Sequence, residues 1–324
     1  MTLFRTMGEN PSIPRSCDLL SEDHPNRPYP VVHRVRTSAI VRAAVFLAIF
    51  YGISMVWTFL DAVLVGETNN AEYALSQILS AVIAYAVVTL GIEGRRWPYE
   101  IHPRRFLGLF KGMILGGGII AACVGVLALL GSYSFTGFNP DYSPWIDILF
   151  LGVVAGITEE VQMRGVLFRL MEEGLGTWGA VAVSATVFGW THLSNPDANL
   201  WGAIAIALEA GVLLAAVYAL TRSLWWCIGV HFAWNVVEGP VFGSIVSATG
   251  FQDSWLIGSW TGPQILTGGR FGMEASIVPV ILSGGLGVAL LVYAWHRGLM
   301  VDPIWVRKRK LTEREGIDAQ KLVI

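Results

Sequence analysis

The chain has 324 residues, of which 54% are hydrophobic and 14% are charged. A soluble protein of this length carries about a quarter of its residues as Asp, Glu, Lys and Arg, because its surface faces water. The composition therefore excludes an ordinary soluble domain, and the formal net charge of -2 gives no reason to expect nucleic acid as a partner. The lipid bilayer is the solvent that fits this composition.

The apolar residues are gathered into runs. Residues 1–37, with five prolines among mixed charges after residue 10, predict an irregular N-terminal tail on the cytoplasmic side. Beyond it, about eight runs approach the roughly 20 apolar residues that a membrane helix needs. They lie near residues 40–65, 73–92, 107–130, 146–169, 178–193, 200–220, 224–241 and 275–296. The pattern predicts an all-α, polytopic transmembrane helix bundle.

Basic residues predict the orientation of the bundle. They collect before the first run, between the second and third runs and after the last run, which is one side of an eight-span protein. Because Lys and Arg in short loops stay on the cytoplasmic side, we expect a cell-membrane protein with both termini in the cytoplasm. The predicted divisions are the tail 1–37, the first three spans 38–144, a catalytic core 145–241 in the fourth to seventh spans, an external loop with the last span 242–298, and a basic cytoplasmic tail 299–324.

The fourth span carries three ionisable residues near its middle. Such groups cost about 2.5 to 3.5 kcal/mol each on insertion scales, so they mark functional candidates. Glu160 and Arg164 are four residues apart with the acid first, the favourable order for an ion pair on a helix. Glu159 is rotated away from that pair and is left free to accept a proton. Structural pairing with other helices is the alternative, which the second acid makes harder to sustain.

Two later spans carry a histidine within an apolar run. In the fifth span Phe188 precedes His192 by four residues. In the seventh span His231 precedes Asn235 by the same spacing, which puts both on one helix face. A single histidine on an apolar helix is more often a packed core group. Two histidines with an amide and two acids at comparable depth predict a site instead.

Other charged residues also lie within spans, and we weigh three of them as candidates. Glu209, in the sixth span, is expected to pair with Arg164 or a histidine or to line a polar cavity, with packing or pairing ahead of catalysis. Arg42 and Asp61, nearer the ends of the first span, are expected to extend toward the membrane interface.

The motifs Glu-Glu-x-x-x-Arg, Phe-x-x-x-His and His-x-x-x-Asn follow one another between Trp145 and Gly239. In this order they resemble the CPBP (Abi) family of CAAX prenyl protease 2-like and bacteriocin-processing membrane proteins. Gln162 departs from the family, which more usually has an apolar or aromatic residue there. The departure does not touch the matched positions.

The resemblance implies an intramembrane endopeptidase that uses a glutamate-activated water, with no metal or other cofactor. The implied roles are Glu159 as general base, His192 holding the water, His231 and Asn235 donating to the oxyanion, and Glu160, Arg164 and Phe188 in support. A carboxylate in a low-dielectric cavity accepts a proton more readily, which suits it to the role of base. The expected partners are the bilayer and a peptide or protein substrate, prenylated at a nearby cysteine in the eukaryotic and archaeal branch of the family and mostly unknown in the bacterial branch.

The residues leave other functions open. Glu159, His192 and His231 could be the ligands of a zinc-dependent membrane protease, although an HExxH helix is absent. A Cys227 and His231 pair on one helix lacks the orienting third group of a cysteine peptidase, so Cys227 is expected to pack. A different class is a catalytically silent scaffold, immunity or transport protein that keeps the polar cluster as a binding site.

Overall fold

A computed structural model gives the fold of most of the chain. It describes residues 38–64, 70–95, 98–250, 253–307 and 309. The predicted N-terminal tail, 1–37, and most of the predicted C-terminal tail lie outside these ranges.

Helices make up about three-quarters of the described chain. In chain order the α-helices are α1 (Ala39–Leu64), α2 (Asn70–Ala86), α3 (Leu107–Leu129), α4 (Trp145–Asp147), α5 (Ala155–Glu160), α6 (Arg169–Thr191), α7 (Leu200–Ile206), α8 (Val212–Thr221), α9 (Leu224–Val236), α10 (Gln264–Thr267), α11 (Ile277–Pro279) and α12 (Gly285–His296). Wider π-helical turns extend or join them at Val87–Ile92, Ile148–Val154, Val161–Phe168, Ala207–Gly211, Val237–Val241 and Val280–Gly284. Short 3₁₀ turns lie at Tyr99–Ile101, Pro103–Arg105, His192–Ser194, Gly269–Phe271 and Met273–Ala275.

Five helical stretches in the described chain are long and apolar enough to cross a membrane. They are Ala39–Val63, Asn70–Ile92, Pro103–Leu129, Leu200–Thr221 and Ile277–His296. Their outward side chains are apolar and exposed, as lipid-facing surfaces are. The predicted all-α polytopic bundle is confirmed. The number of eight spans stays a prediction. The remaining helices carry the polar residues of the predicted core and are therefore less apolar than these five.

A glycine divides the helical path of the predicted core. Gly176, inside α6, has φ of 72°, a left-handed conformation that breaks the helix and favours glycine. A Cβ at this position would lie 2.5 Å from the carbonyl oxygen of Val301 and 2.7 Å from the nitrogen of Pro303. The chain therefore turns at Gly176 against its own C-terminal segment. The turn separates the predicted fourth span, which carries Glu159, from the predicted fifth span, which leads to His192.

Glycines bring α3 and α9 into close contact. A Cβ built on Gly116 would overlap the backbone of Val230, with the Val230 Cα at 2.9 Å. From the other side, a Cβ on Gly229 would lie 3.0 Å from the Met113 nitrogen. Small residues allow this approach of two backbones in a membrane bundle. The contact fixes the position of α9, which carries His231.

This packing leads to a prediction about two neighbouring glycines. We expect Gly116→Ala to lower the free energy of unfolding by about 2 kcal/mol, because the new methyl forces α3 away from α9. Gly118→Ala is the matched control, since nothing lies within 4 Å of a Cβ there. Thermal unfolding in detergent measures both variants. Equal stability of the two would show that the glycine contact does not set the helix spacing.

Two short strands close one end of the bundle. β1 (Tyr133–Phe138) pairs antiparallel with β2 (Leu256–Trp260), with Tyr133 opposite Trp260 and their ring centroids 4.7 Å apart. Strands are absent from the sequence-based expectation. β2 belongs to the long connection between α9 and α11, which folds back over the helix ends. We call this the hairpin end.

Buried ion pairs occupy the opposite end, which we call the basic end. Arg42 is fully buried and pairs with Glu93 at 3.0 Å and with Glu173. Glu93 also pairs with Arg169 at 2.8 Å. The expectation that Arg42 extends toward the interface is wrong, because two acids on other helices neutralise it inside the protein. The pairs join α1 and α6 to Glu93, which follows the π-helical turn after α2.

Glu100 gives the basic end a predicted acid sensitivity. Burial by itself would raise the pKa of its carboxyl, but hydrogen bonds and charge from Arg95, the charge of Arg169 and a hydrogen bond from Tyr85 lower the pKa from 4.5 to about 2. Because the pKa of Glu100 is lower in the folded state than in the unfolded state, its carboxylate stabilises the fold at pH values above the unfolded-state pKa. That stabilisation is lost as the pH falls toward the folded-state pKa. At about 1.4 kcal/mol per pH unit, it amounts to roughly 3 kcal/mol at neutral pH.

We expect the melting temperature to fall as the pH drops from about 4.5 toward about 2. This fall should be steeper than any change in melting temperature at higher pH. Glu100→Gln should flatten this part of the curve, because the variant has no carboxyl to protonate. An identical acid-induced fall in the variant would show that other groups cause it.

Candidate active site

The predicted ion pair forms at the centre of the bundle. Glu160 is fully buried, and its Oε1 accepts a hydrogen bond from Arg164 Nη1 at 2.8 Å. The same oxygen lies 2.8 Å from His231 Nδ1. Because a carboxylate is an acceptor, His231 donates through Nδ1. The buried carboxylate of Glu160 therefore binds both Arg164, on the same helical stretch, and His231 on α9.

Phe188 lies between the ionisable groups. Its buried ring is 4.9 Å from the Arg164 guanidinium, 4.8 Å from the His192 ring and 6.0 Å from the His231 ring. A cation above an aromatic face is favourable, and edge-to-face packing fixes ring orientation. The Phe188 side chain thus keeps both histidines and the arginine in place.

His192 presents one nitrogen to a cavity. Its Nδ1 lies 2.6 Å from the carbonyl oxygen of Phe188, an acceptor, so Nδ1 carries the proton. In the neutral ring Nε2 is then an acceptor. His192 is half-buried at the hairpin end of α6 and lines the cavity. It can hold a water molecule through Nε2.

The cavity brings the predicted residues together. It has a volume of about 340 Å³ and is lined by Glu159, His192, His231 and Asn235 among others. Glu159 is half-buried and makes no hydrogen bond or ion pair within the described part of the chain. Asn235 donates one amide hydrogen to the carbonyl oxygen of Leu151 at 2.8 Å. Its second amide hydrogen remains for another acceptor.

Sequence reasoning missed an acid in the wall of this cavity. Glu274, just before α11, lines it and is 1% exposed. One carboxyl oxygen accepts from Trp234 Nε1 at 3.0 Å, and the other accepts from the nitrogen and hydroxyl of Ser247 at 2.7 and 2.8 Å. Burial raises the pKa of Glu274 above its ordinary value, although the donors from Ser247 and Trp234 act in the opposite direction. The sequence signal that could have identified Glu274 is its position directly before the last apolar span.

Glu209 lies away from the cavity. It is fully buried, and both carboxyl oxygens lack a hydrogen-bond partner among the described residues. Arg164 contacts the carbonyl oxygen of Gly211 at 3.3 Å instead. Cys227 is buried against the Leu214 carbonyl oxygen at 3.8 Å and does not line the cavity. This placement agrees with a packing role for Cys227.

Gln162, where the sequence departs from the family pattern, lines the cavity one helical turn after Glu159. Across the residues that the structure describes, no group of three or more His, Cys, Asp or Glu side chains is placed to hold a metal ion.

Residues 141–237 match the family model described as type II CAAX prenyl endopeptidase Rce1-like. The match confirms the resemblance carried by the three motifs. Neither the curated proteins nor the solved structures include a match to this chain. The matched range contains every predicted site residue, whereas Ser247 and Glu274 follow it.

Proposed function

We propose that the chain is a metal-independent intramembrane endopeptidase of the CPBP family in which Glu159 activates water. Support comes from residues 141–237, which match the type II CAAX prenyl endopeptidase Rce1-like family model. The observation that carries the proposal is the convergence of Glu159, His192 and His231 on one cavity inside the bundle. Amide hydrolysis needs a base, a held water and donors to the developing negative charge. This cavity offers a carboxylate base, a histidine nitrogen that can hold water, and side-chain donors.

Glu159 is the general base of this mechanism. Water held by His192 Nε2 gives a proton to the Glu159 carboxylate, and its oxygen attacks the carbonyl carbon of the substrate. The proton then passes from Glu159 to the amide nitrogen as the carbon–nitrogen bond breaks. The products are a carboxylic acid and an amine.

His231 and Asn235 stabilise the tetrahedral intermediate. The second amide hydrogen of Asn235 can point to the oxyanion, because the first is held by Leu151. His231 can donate through Nε2 when it is doubly protonated, and the Glu160 carboxylate at Nδ1 balances that charge. Arg164 holds Glu160 in the orientation that this requires.

The protein belongs, in this proposal, to the cell membrane with both termini in the cytoplasm. Support comes from the basic residues, which gather at the end of the bundle opposite the hairpin, as expected for the cytoplasmic side. The partners are the bilayer and a peptide or protein substrate. A lipidated substrate is one class that the family includes.

The proposal is tested with detergent-purified protein and a peptide library that includes prenylated peptides. His192→Ala should lower kcat/KM by about 10²-fold or more, because the water loses its acceptor. His296→Ala is the matched control, since His296 is exposed at the end of α12 and should leave cleavage unchanged. Full activity of His192→Ala would contradict the assigned role.

The same preparation separates the alternatives. Loss of cleavage with a chelator and its return with zinc would indicate a zinc-dependent protease. Failure to cleave any peptide would indicate a silent scaffold, immunity or transport protein.

A further inference from the structure

Gln162 is a polar residue in the cavity wall to which the proposed mechanism gives no role. The helical stretch that carries the general base lines the cavity with five side chains, which are Leu151, Ala155, Glu159, Gln162 and Met163. Gln162 is the only uncharged polar residue among them. It is half-buried, and no hydrogen bond of its side chain is found among the described residues. Its amide is therefore available to a ligand in the cavity.

Most other neutral polar side chains of the lining bond within the protein. Asn235 donates to the carbonyl oxygen of Leu151 at 2.8 Å, and the Ser247 hydroxyl donates to Glu274 at 2.8 Å. The Asn195 amide donates to the carbonyl oxygen of Ser247 at 2.5 Å. These contacts hold the wall in shape. Gln162 differs from these side chains because its whole hydrogen-bonding capacity faces the cavity.

The spacing along the helix sets how far this amide lies from the reacting bond. Gln162 follows Glu159 by three residues, and residues three apart on a helix are neighbours with about 5 to 6 Å between their Cβ atoms. The wider turn that begins at Val161 does not rotate Gln162 away, since both residues line the cavity. One peptide residue spans about 3.3 to 3.6 Å. A substrate side chain that meets Gln162 therefore belongs to a residue within about two of the scissile bond.

The chemistry of the amide decides which side chains fit against it. Gln162 offers two N–H donors and one carbonyl acceptor. An apolar substrate side chain would remove this amide from water without giving it a partner, and an unpaired polar group weakens binding. A side-chain amide or hydroxyl on the substrate replaces the lost water instead. Sites of this kind discriminate more strongly than apolar pockets, because the wrong ligand leaves a polar group unpaired.

We propose that Gln162 is a specificity-determining residue that selects a substrate with a hydrogen-bonding side chain, an amide or a hydroxyl, within two residues of the scissile bond. The inference rests on the proposed peptidase function. It concerns one position of the substrate and leaves the others open to apolar residues. An apolar residue in the place of Gln162, as the family more usually has, would not make this selection.

The test starts from one peptide that the wild type cleaves and varies, one at a time, the two residues on either side of the scissile bond. Each of these positions carries either glutamine or leucine, which are similar in size. At one position the wild-type kcat/KM should be higher by about tenfold or more for glutamine than for leucine.

Gln162→Met removes the amide and nearly keeps the length of the side chain. At the same substrate position its glutamine-to-leucine ratio should fall to within about twofold of unity or below, because the thioether is only a weak acceptor and donates nothing. The variant should cleave the leucine peptide at least as well as the wild type does, a gain that a merely structural defect would not produce. Gln264→Met, exposed on α10 and outside the cavity lining, is the matched control and should keep the wild-type ratio.

A wild type that prefers glutamine at none of the four positions would overturn the inference while the peptidase function stands. So would a preference that an active Gln162→Met retains. If Gln162→Met fails to fold, the wild-type preference alone decides. Failure to cleave any peptide of the library would reject the peptidase function itself.

Discussion

Replacing Glu159 with glutamine is expected to lower kcat/KM for peptide cleavage by about 10³-fold or more while leaving the fold intact. Glutamine has nearly the same shape but cannot accept a proton from water. No hydrogen bond or ion pair of the Glu159 side chain is found within the described residues, so its replacement removes only its electrostatic effect on His231. The loss should therefore appear in kcat and not in the melting temperature.

The matched control is Glu72→Gln, which makes the same chemical change outside the cavity lining and should retain wild-type rates. Single-turnover cleavage of a fluorogenic peptide measures both variants. If Glu159→Gln cleaves at the wild-type rate, Glu159 is not the base. If it loses stability as well as activity, the residue has a structural role that its contacts do not reveal.

The second large effect concerns stability. Arg164→Met is expected to lower the free energy of unfolding by about 3 to 5 kcal/mol, because it leaves the Glu160 charge buried without its cation. The same change should abolish cleavage, since Glu160 then loses the orientation that holds His231. Arg104→Met is the control: Arg104 is exposed, and its replacement should cost under about 0.5 kcal/mol.

A double variant separates the charge from the packing. Adding Glu160→Gln to Arg164→Met removes the orphaned charge, so most of the lost stability should return, to within about 1 to 2 kcal/mol of wild type. Activity should not return, because His231 has lost its carboxylate. Thermal unfolding in detergent and cleavage assays give the two readouts. Stability losses that simply add would show that Glu160 and Arg164 are not energetically coupled.

Much of the site could be predicted because its residues follow helical spacing. The interval of four residues from Glu160 to Arg164 is a local property of a helix, and the structure contains that pair. The same spacing put His231 and Asn235 on one face, and both line the cavity. The all-α fold class could be predicted from the apolar runs, because the thickness of a bilayer sets the length of a membrane-spanning helix.

The rest depends on contacts between distant segments. Arg42 looked like an interfacial residue because nothing near it in sequence pairs with it, whereas Glu173 lies 131 residues away. Glu274 sits in an irregular connection, where no periodicity gives depth or direction. The sequence likewise did not reveal that Glu209 lies apart from the cavity, because helical phase alone does not say which neighbour a buried side chain meets.

The most direct measurement is single-turnover cleavage of one accepted peptide by wild-type protein stripped of metal with a chelator, beside Glu159→Gln under the same conditions. The account predicts that the stripped wild type keeps its full rate and that Glu159→Gln loses it. A stripped wild type that is inactive until zinc returns, or a Glu159→Gln variant that still cleaves, would contradict it.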